Sequence, residues 1–294
     1  MKSWKRESAP RWAVSAGKLA LSGVLLLGSV GPAAAAPMPI TTCGALITQP
    51  GRYMLAADLV CDVTAITVTA DGVRLDLGGR TLTGDGDGFL FGVLAEGTPS
   101  NPTVGGLLVE NGTVKGFFDG VRIENARNAR VARVIASGND DDGIDIRDSR
   151  GARVVDNRVT GNGDDGLDLL VCRGCAVAGN RTAENGGDGI ETDDLAGTRI
   201  VDNRATGNGD DGIGLDGEGT RHNLVRGNTA TGNGSSGIQV GPGPTGNRLA
   251  SNRATGNGEF DLFDGNLPAC VNAWRDNTFV TDNEGNGPGA GCIQ

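Results

Sequence analysis

Apolar and polar residues alternate in short runs along the chain, and this two-residue period predicts β-strands. In Gly166–Leu169, Leu167 and Leu169 are expected to point inward and Asp168 outward, because successive side chains of a strand lie on opposite faces. A second short strand is predicted in each repeat, within Arg153–Asn162 and its copies. No repeat has the apolar period of about 3.6 residues that marks a helix. The pattern therefore predicts an all-β protein.

Copies of the motif GNGDDGLDL, found at Gly161–Leu169, recur at a nearly fixed interval. The glycine before the aliphatic residue marks each copy, and successive markers are 23, 23, 23, 23 and 25 residues apart. This period is typical of a solenoid, in which each coil buries its apolar face only against its neighbours. The leucine spacing of leucine-rich repeats and the six-residue period of left-handed β-helices are both absent. We therefore predict an all-β, right-handed parallel β-helix solenoid of coils of about 23 residues, capped at both ends. The marker glycines are Gly120, Gly143, Gly166, Gly189, Gly212 and Gly237.

The repeats leave distinct segments at both ends of the chain. The first segment combines early basic residues, an apolar run over Leu19–Val30 and a small-residue tail, which is the layout of a secretory signal peptide. The run is shorter than the roughly 20 residues of a membrane span. We expect a secreted protein, extracellular or periplasmic, with no membrane span in the mature chain. Caps are expected because open solenoid ends would expose core and unpaired strand edges. The predicted divisions are a signal peptide at 1–36, an N-terminal cap at 37–62, the β-helix at 63–262 and a C-terminal cap at 263–294.

One segment interrupts an early coil. The sequence LAEGTPSNPTV, Leu94–Val104, lacks the alternation of its surroundings and is predicted to be an inserted loop. Loops that project from a rigid scaffold are common positions for binding residues. This loop is therefore of interest for function.

Charge limits the classes of partner. Without residues 1–36, which hold five basic residues and one acidic residue, 21 basic and 35 acidic residues remain, a formal charge of −14. Such a surface disfavours nucleic acid and anionic lipid, and it favours cations. Aromatic residues, the usual platforms for sugars, make up only 4% of the chain.

The cysteines support export. All six lie beyond the predicted signal peptide, and an even number in an exported protein most simply forms disulfides. A redox or zinc motif at the C-x-x-C sequence is less favoured, because no second pair or histidine cluster completes a metal site. The predicted pairs are Cys43 with Cys61, Cys172 with Cys175 and Cys270 with Cys292.

Asparagines recur in two columns where strands end. Stacked amides can bond to one another and to turn backbone, so we assign them a structural role. The columns are Asn157, Asn180, Asn203, Asn228 and Asn252, and then Asn162, Asn185, Asn208, Asn233 and Asn257. With its coils, asparagine ladders and caps, nearly the whole mature chain resembles the parallel β-helix repeat proteins of the pectin-lyase-like superfamily, including NosD-type domains. That superfamily contains lyases, hydrolases, epimerases, adhesins and proteins of no known activity, so the resemblance implies a fold more than a function.

Acidic residues form columns beside the marker glycines. Carboxylates stacked at strand spacing repel one another, so either water and salt screen them or a cation lies between the coils. Calcium suits such ligands, because it prefers oxygen and tolerates irregular geometry. The alternative is a solvated acidic face. The DDG-x-D motif at Asp141–Asp145 is similar to the calcium site of family 9 pectate lyases, whose metal binds the uronate carboxylate. The candidate calcium ligands are Asp141, Asp142, Asp145, Asp164, Asp165, Asp168, Asp188 and Glu191.

Two functions remain from the sequence. The first is a secreted β-helix whose acidic, calcium-binding face associates with an extracellular acidic polysaccharide or cell-surface polymer. The second is a calcium-dependent polysaccharide lyase that acts by β-elimination. The family 9 lyases use a lysine as the base, whereas Lys115 is the single lysine beyond residue 36 and matches no motif position. This departure favours the first function, and no catalytic residue is assigned.

Overall fold

The computed structural model describes residues 36–86, 88–98, 100–285 and 291–293. The predicted signal peptide lies outside these residues, except for Ala36, as do residues 286–290 and 294 of the predicted C-terminal cap. In chain order the strands are β1 (Met38–Ile40), β2 (Ala45–Ile47), β3 (Gly51–Leu55), β4 (Leu59–Cys61), β5 (Ile66–Val68), β6 (Val73–Asp76), β7 (Thr81–Gly84), β8 (Phe91–Ala95), β9 (Val104–Gly105), β10 (Leu108–Lys115), β11 (Asp119–Glu124), β12 (Ala126–Arg127), β13 (Arg130–Ser137), β14 (Ile144–Arg147), β15 (Arg153–Val155), β16 (Arg158–Thr160), β17 (Leu167–Leu170), β18 (Ala176–Ala178), β19 (Arg181–Ala183), β20 (Ile190–Asp193), β21 (Arg199–Val201), β22 (Arg204–Thr206), β23 (Ile213–Leu215), β24 (Leu224–Arg226), β25 (Thr229–Thr231), β26 (Ile238–Val240), β27 (Arg248–Ala250), β28 (Arg253–Thr255), β29 (Leu262–Asp264) and β30 (Ala273–Arg275).

The strands stack into two long parallel sheets. Sheet A has eighteen described strands, and each regular coil gives it two in succession, such as β15 and β16. Sheet B has ten described strands, one from each coil, in the order β2-β5-β8-β11-β14-β17-β20-β23-β26-β29. Residues one coil apart are register partners, as Ile144 is with Leu167 and Asp145 with Asp168. The predicted all-β, right-handed parallel β-helix of coils of about 23 residues is confirmed.

The core is a stack of aliphatic side chains from both sheets. Ile144 and Ile146 of β14 are buried, and so are their partners Leu167 and Leu169 in β17. Stacking buries these side chains, and each Å² of buried apolar area contributes about 25 cal/mol to the free energy of folding. This burial is the main favourable contribution to the stability of each coil. A coil on its own has no neighbour to cover that surface, so the fold is stable only as an array.

The asparagine ladders are confirmed. In the first, Asn180 Nδ2 donates to Asn203 Oδ1 at 3.0 Å and to the Val154 carbonyl at 2.8 Å, while Asn180 Oδ1 accepts from the backbone N–H of Asn157 at 2.9 Å. The second runs from Asn139 to Asn257 with amide contacts of 2.9–3.0 Å. These bonds satisfy polar groups at bends where the strand ladder stops, so the buried asparagines have a structural role.

The marker glycines lie where two coils approach too closely for a side chain. A Cβ built on Gly143 would lie 2.1 Å from Val159 Cγ1 and 2.7 Å from the Gly166 carbonyl oxygen. The repeated glycine is therefore explained by close packing between coils, since none of the marker glycines has a positive φ.

A disulfide lies near each end of the solenoid. Disulfides join Cys43 with Cys61 and Cys270 with Cys292. The segment 37–62 already carries β1–β4. Strand β1 pairs in parallel with β3 of the same segment, and β2, β3 and β4 pair in parallel with β5, β6 and β7. In the segment 263–294, Trp274 is buried and its Nε1 donates to Asp264 Oδ2 at 2.8 Å. That these segments act as caps remains a prediction.

Candidate metal-binding face

The acidic columns lie on one side of the solenoid, at the turn that leads from sheet A into sheet B and on the outward face of sheet B. Asp145, Asp168 and Glu191 are successive register partners at the outward position of β14, β17 and β20. Asp142, Asp165 and Asp188 occupy the turn, directly before the marker glycines. We call these columns and their neighbours Asp141 and Asp164 the acidic face.

The turn aspartates form a ladder of their own. The Oδ1 atom of Asp142 accepts a hydrogen bond from the Asp165 backbone N–H at 3.0 Å, and Asp165 Oδ1 accepts from Asp188 N–H at 2.6 Å. The same contact joins Asp119 to Asp142 and Asp188 to Asp211. One oxygen of each carboxylate is thus used by the fold.

Among the described residues, four groups of three carboxylates converge, with one oxygen from each member within 4.8 Å of the others. Asp142 belongs to three of the groups, and it is buried. Every predicted ligand except Glu191 belongs to at least one group, and three residues outside the predicted set, Asp119, Asp210 and Asp211, also take part. The groups are Asp119–Asp141–Asp142, Asp142–Asp145–Asp168, Asp142–Asp164–Asp165 and Asp188–Asp210–Asp211.

Burial raises the pKa values of Asp142, Asp145, Asp165 and Asp168. Desolvation is the largest cause at each position, and neighbouring carboxylates add to it at Asp142, whose pKa rises to about 9. The pKa of Asp165 rises to about 8, that of Asp145 to about 7 and that of Asp168 to about 6. Without a counter-cation, several of these groups are therefore partly protonated near neutral pH.

Two arginines neutralise one end of the acidic face. Arg147 Nε lies 2.7 Å from Asp145 Oδ2, and Arg122 Nη1 lies 3.0 Å from Asp119 Oδ2 and 3.5 Å from Asp145 Oδ2. Arg147 is 3.7 Å from Asp168. These ion pairs raise the pKa of both guanidinium groups despite their partial burial. Both arginines therefore stay protonated. Neither was predicted from the sequence as a partner of the aspartates.

The other carboxylates have no such partner. Within the described part of the chain, Asp142, Asp164, Asp165 and Asp188 make no ion pair with a basic residue. Glu191 shares a hydrogen bond with Asp188, and burial raises the pKa of both groups. The group Asp142–Asp164–Asp165 therefore fits a cation, because its oxygens converge and no described basic residue pairs with them. The same holds for the group Asp188–Asp210–Asp211.

Lys115, the lysine considered as a base, does not lie on the acidic face. Lys115 ends β10, and Arg158, Arg181 and Arg204 begin strands β16, β19 and β22, all in sheet A rather than on the acidic face. Phe117 is buried in the core. Phe118 instead packs beside Phe89, with ring centroids 4.6 Å apart, and Phe89 is 75% exposed. An aromatic surface thus borders the end of the acidic face near Asp119.

A family model described as a right-handed β-helix region matches residues 92–223 and 119–290 in two overlapping alignments. The chain belongs to the right-handed β-helix family. This β-helix protein has the architecture of the pectin-lyase-like superfamily, as predicted. No curated protein matches its sequence.

Several solved structures share the fold. The A-module of mannuronan C-5 epimerase AlgE6 from Azotobacter vinelandii is 15% identical, with a TM-score of 0.61, and the match covers 81% of this chain and 76% of that one. The Dettilon tailspike protein is 17% identical, with a TM-score of 0.64 over 84% of this chain and 55% of its own. Pectate lyase Pel9A is 15% identical, with a TM-score of 0.50 over 85% and 74%. At these identities the likeness concerns the fold alone.

No helix among the described residues has the length and apolar character needed to cross a membrane.

Proposed function

We propose that the protein is exported, binds calcium on its acidic face and thereby associates with an acidic polysaccharide. The observation that carries the proposal is the convergence of Asp142, Asp164 and Asp165 without a basic partner. Their oxygens are the hard ligands that calcium prefers. When bound, the ion would supply positive charge for a sugar carboxylate. Similar solved proteins named as a mannuronan epimerase and a pectate lyase support polysaccharide as the ligand class.

Export is supported by the three disulfides, which persist in oxidising compartments. The exposed ring of Phe89 beside Phe118 offers an apolar surface on which a sugar ring can stack next to the acidic face.

Binding is favoured over catalysis because, in the described part of the chain, no uncharged lysine, arginine or histidine side chain contacts the carboxylates. Among the described residues, the basic side chains that contact the acidic face are Arg122 and Arg147, and both are held protonated by ion pairs. A β-elimination needs a group that removes a proton from the sugar. The lyase alternative is tested by following the ultraviolet absorbance of unsaturated uronides on polygalacturonate and alginate with calcium, where steady product formation would establish it.

The metal site is tested by calorimetric titration of the chelator-treated protein with calcium. Asp164→Asn together with Asp165→Asn should weaken calcium binding about tenfold or more, because two charged ligands are lost. The matched control is Asp156→Asn with Asp202→Asn, which removes the same charge from bends of sheet A. Equal affinities in all three proteins, or no calcium binding by the unaltered protein, would refute the metal site. The polysaccharide link requires that calcium increase retention on immobilised polygalacturonate relative to chelator.

A further inference from the structure

Three arginines are stacked in the turn that leads from sheet B into sheet A. Arg127 is the register partner of Arg150, and Arg150 is the partner of Arg173. Parallel strands lie about 4.8 Å apart, so the three residues project from consecutive coils at that spacing. We call them the arginine stack. This turn follows the sheet B strands, whereas the turn aspartates of the acidic face precede them.

The guanidinium groups of the arginine stack have no carboxylate within ion-pair distance in the part of the chain that the structure describes. All three residues are exposed, and none of them makes an ion pair with another described residue. Arg74, Arg122, Arg133 and Arg147 pair with carboxylates, whereas other exposed arginines such as Arg158 and Arg181 have no ion pair among the described residues either. The stack therefore differs from them by its position at a cleft. Like charges directly opposite in a sheet are destabilising, so an anion bound across the stack would relieve a repulsion that the fold otherwise retains.

The stack borders two clefts. The first has a volume of about 330 Å³ and is lined by all three arginines and by one carboxylate, Asp148. Thr103, Ser149 and Val171 also line it. Thr103, which directly precedes β9, belongs to the predicted inserted loop and contributes to the lining of this cleft. The first residues of that predicted loop, Leu94 and Ala95, instead belong to strand β8, so the loop is shorter than predicted. The second, of about 450 Å³, lies against the same arginines and the turn residues that follow them. The guanidinium groups therefore flank a concave surface rather than a flat sheet.

The backbone that carries the stack is fixed locally. The disulfide between Cys172 and Cys175 encloses Arg173 and Gly174, and both cysteines are buried. In the coil before it, the buried Ser149 donates through Oγ to the Arg147 carbonyl at 2.9 Å and accepts from the Ala126 N–H at 3.1 Å. A fixed backbone lowers the entropy lost when the arginines engage a ligand. The C-R-G-C sequence thereby acquires a role beyond crosslinking.

We propose that the arginine stack and its cleft bind the carboxylate or sulfate groups of an anionic polysaccharide directly, without calcium. A polysaccharide presents anionic groups repeatedly along an extended chain, which suits a row of guanidinium groups at fixed spacing, and guanidinium binds oxyanions through two parallel hydrogen bonds. Nucleic acid fits less well, because no described residue lining the clefts is aromatic and the rest of the surface is acidic. This inference does not rest on the calcium site, and either can fail alone.

The test measures binding of purified protein to polygalacturonate and to heparin in the presence of chelator, by affinity electrophoresis and calorimetry. The triple variant combines Arg127→Gln, Arg150→Gln and Arg173→Gln. It should bind the preferred polymer about tenfold or more weakly than the unaltered protein. Added salt should also weaken binding of the polymer by the unaltered protein. Preference for polygalacturonate identifies carboxylate as the ligand group, and preference for heparin identifies sulfate.

The matched control combines Arg158→Gln, Arg181→Gln and Arg204→Gln. These arginines are also register partners and exposed, but they stand on strands of sheet A. The control should stay within about twofold of the unaltered protein, because only the cleft positions its arginines around a ligand. Equal losses in both triple variants would show unspecific charge attraction and overturn the proposal. No binding of either polymer in chelator, or tighter binding of duplex DNA, would also overturn it. If the triple variant does not fold, Arg150→Glu alone provides the same comparison.

Discussion

At the scale of the residue, Asp142 lies buried where three groups of carboxylates meet, and its pKa rises to about 9. A carboxyl group whose pKa is higher in the folded than in the unfolded protein stabilises the fold below its unfolded pKa, near 4, and loses that contribution as pH rises through the folded pKa. With Asp165 at about 8 and Asp145 at about 7, the metal-free protein should lose stability between about pH 5 and pH 9.

We expect the loss to be about 2 kcal/mol or more, since each unit of pKa shift corresponds to about 1.4 kcal/mol. Urea unfolding in chelator at several pH values measures it. Calcium competes with protons for these groups, so its stabilising effect should increase over the same range. The control Asp156→Asn with Asp202→Asn should show the same pH profile as the unaltered protein. A metal-free stability that is flat or rises above pH 6 would contradict the assigned pKa values.

Gly143 gives a second prediction at this scale. In Gly143→Ala the new methyl group would meet Val159 and the Gly166 carbonyl at distances far below van der Waals contact. The coils must separate locally, and we expect a cost of about 3 kcal/mol in the free energy of unfolding by urea. Gly105→Ala is the control, because its nearest neighbour is the movable Asp71 side chain at 3.3 Å. Equal stabilities of the two variants would show that the coil spacing adapts.

The sequence predicted the columns of residues but not their environment. Asp145 was expected on an outward acidic face, and it does point away from the core, yet its side chain is fully buried because Arg122 and Arg147 lie over it. The sequence did contain a sign of this ion pair, because Arg122 occupies the same column as Asp145 one coil earlier. A period assigns residues to columns, whereas the direction of a long arginine side chain depends on contacts that a single sequence does not state.

At the scale of the element, the asparagine ladder couples each coil to the next. Asn180→Ala would remove the acceptor of the Asn157 N–H and Nδ2 groups and the donor to the Val154 carbonyl, leaving buried polar atoms unpaired. We expect a loss of about 3 kcal/mol in urea unfolding. Thr160→Ala, at a partly exposed strand position, is the control and should cost less than about 1 kcal/mol. If Asn180→Ala lowers the free energy of unfolding no more than Thr160→Ala does, a water molecule has replaced the hydrogen bonds of the amide.

Elements were predictable where the period was strict. The two ladders followed from the 23-residue interval, but a third, Asn223–Asn247–Asn272, was not recognised. In the same column, the two preceding coils carry Thr198 and Cys175 instead of asparagine. This ladder of asparagines therefore extends only over the last coils. The coils there are also longer than 23 residues, and irregular spacing hides a column in sequence.

At the scale of the whole molecule, the protein carries charges of opposite sign on different turns of the same coils. The acidic face precedes the sheet B strands, and the arginine stack follows them. The net charge alone predicted only the first, because 21 basic residues beyond residue 36 are outnumbered by 35 acidic ones. A solenoid turns sequence period into spatial rows, so a minority charge placed once per coil becomes a continuous stripe.

Because each coil contacts only its neighbours, stability should vary along the solenoid axis, and the terminal disulfide should act locally. Replacing Cys270 and Cys292 with serine removes a crosslink between residues 22 apart, and we expect faster hydrogen exchange in β29 and β30 by at least about tenfold, without change in β14 or β17. Hydrogen exchange with mass spectrometry resolves these segments. In the control, Cys172→Ser with Cys175→Ser, faster exchange should be confined to the turn around Arg173 and its neighbouring coils. Uniform acceleration along the chain in the terminal variant would show instead that the solenoid unfolds as one cooperative unit.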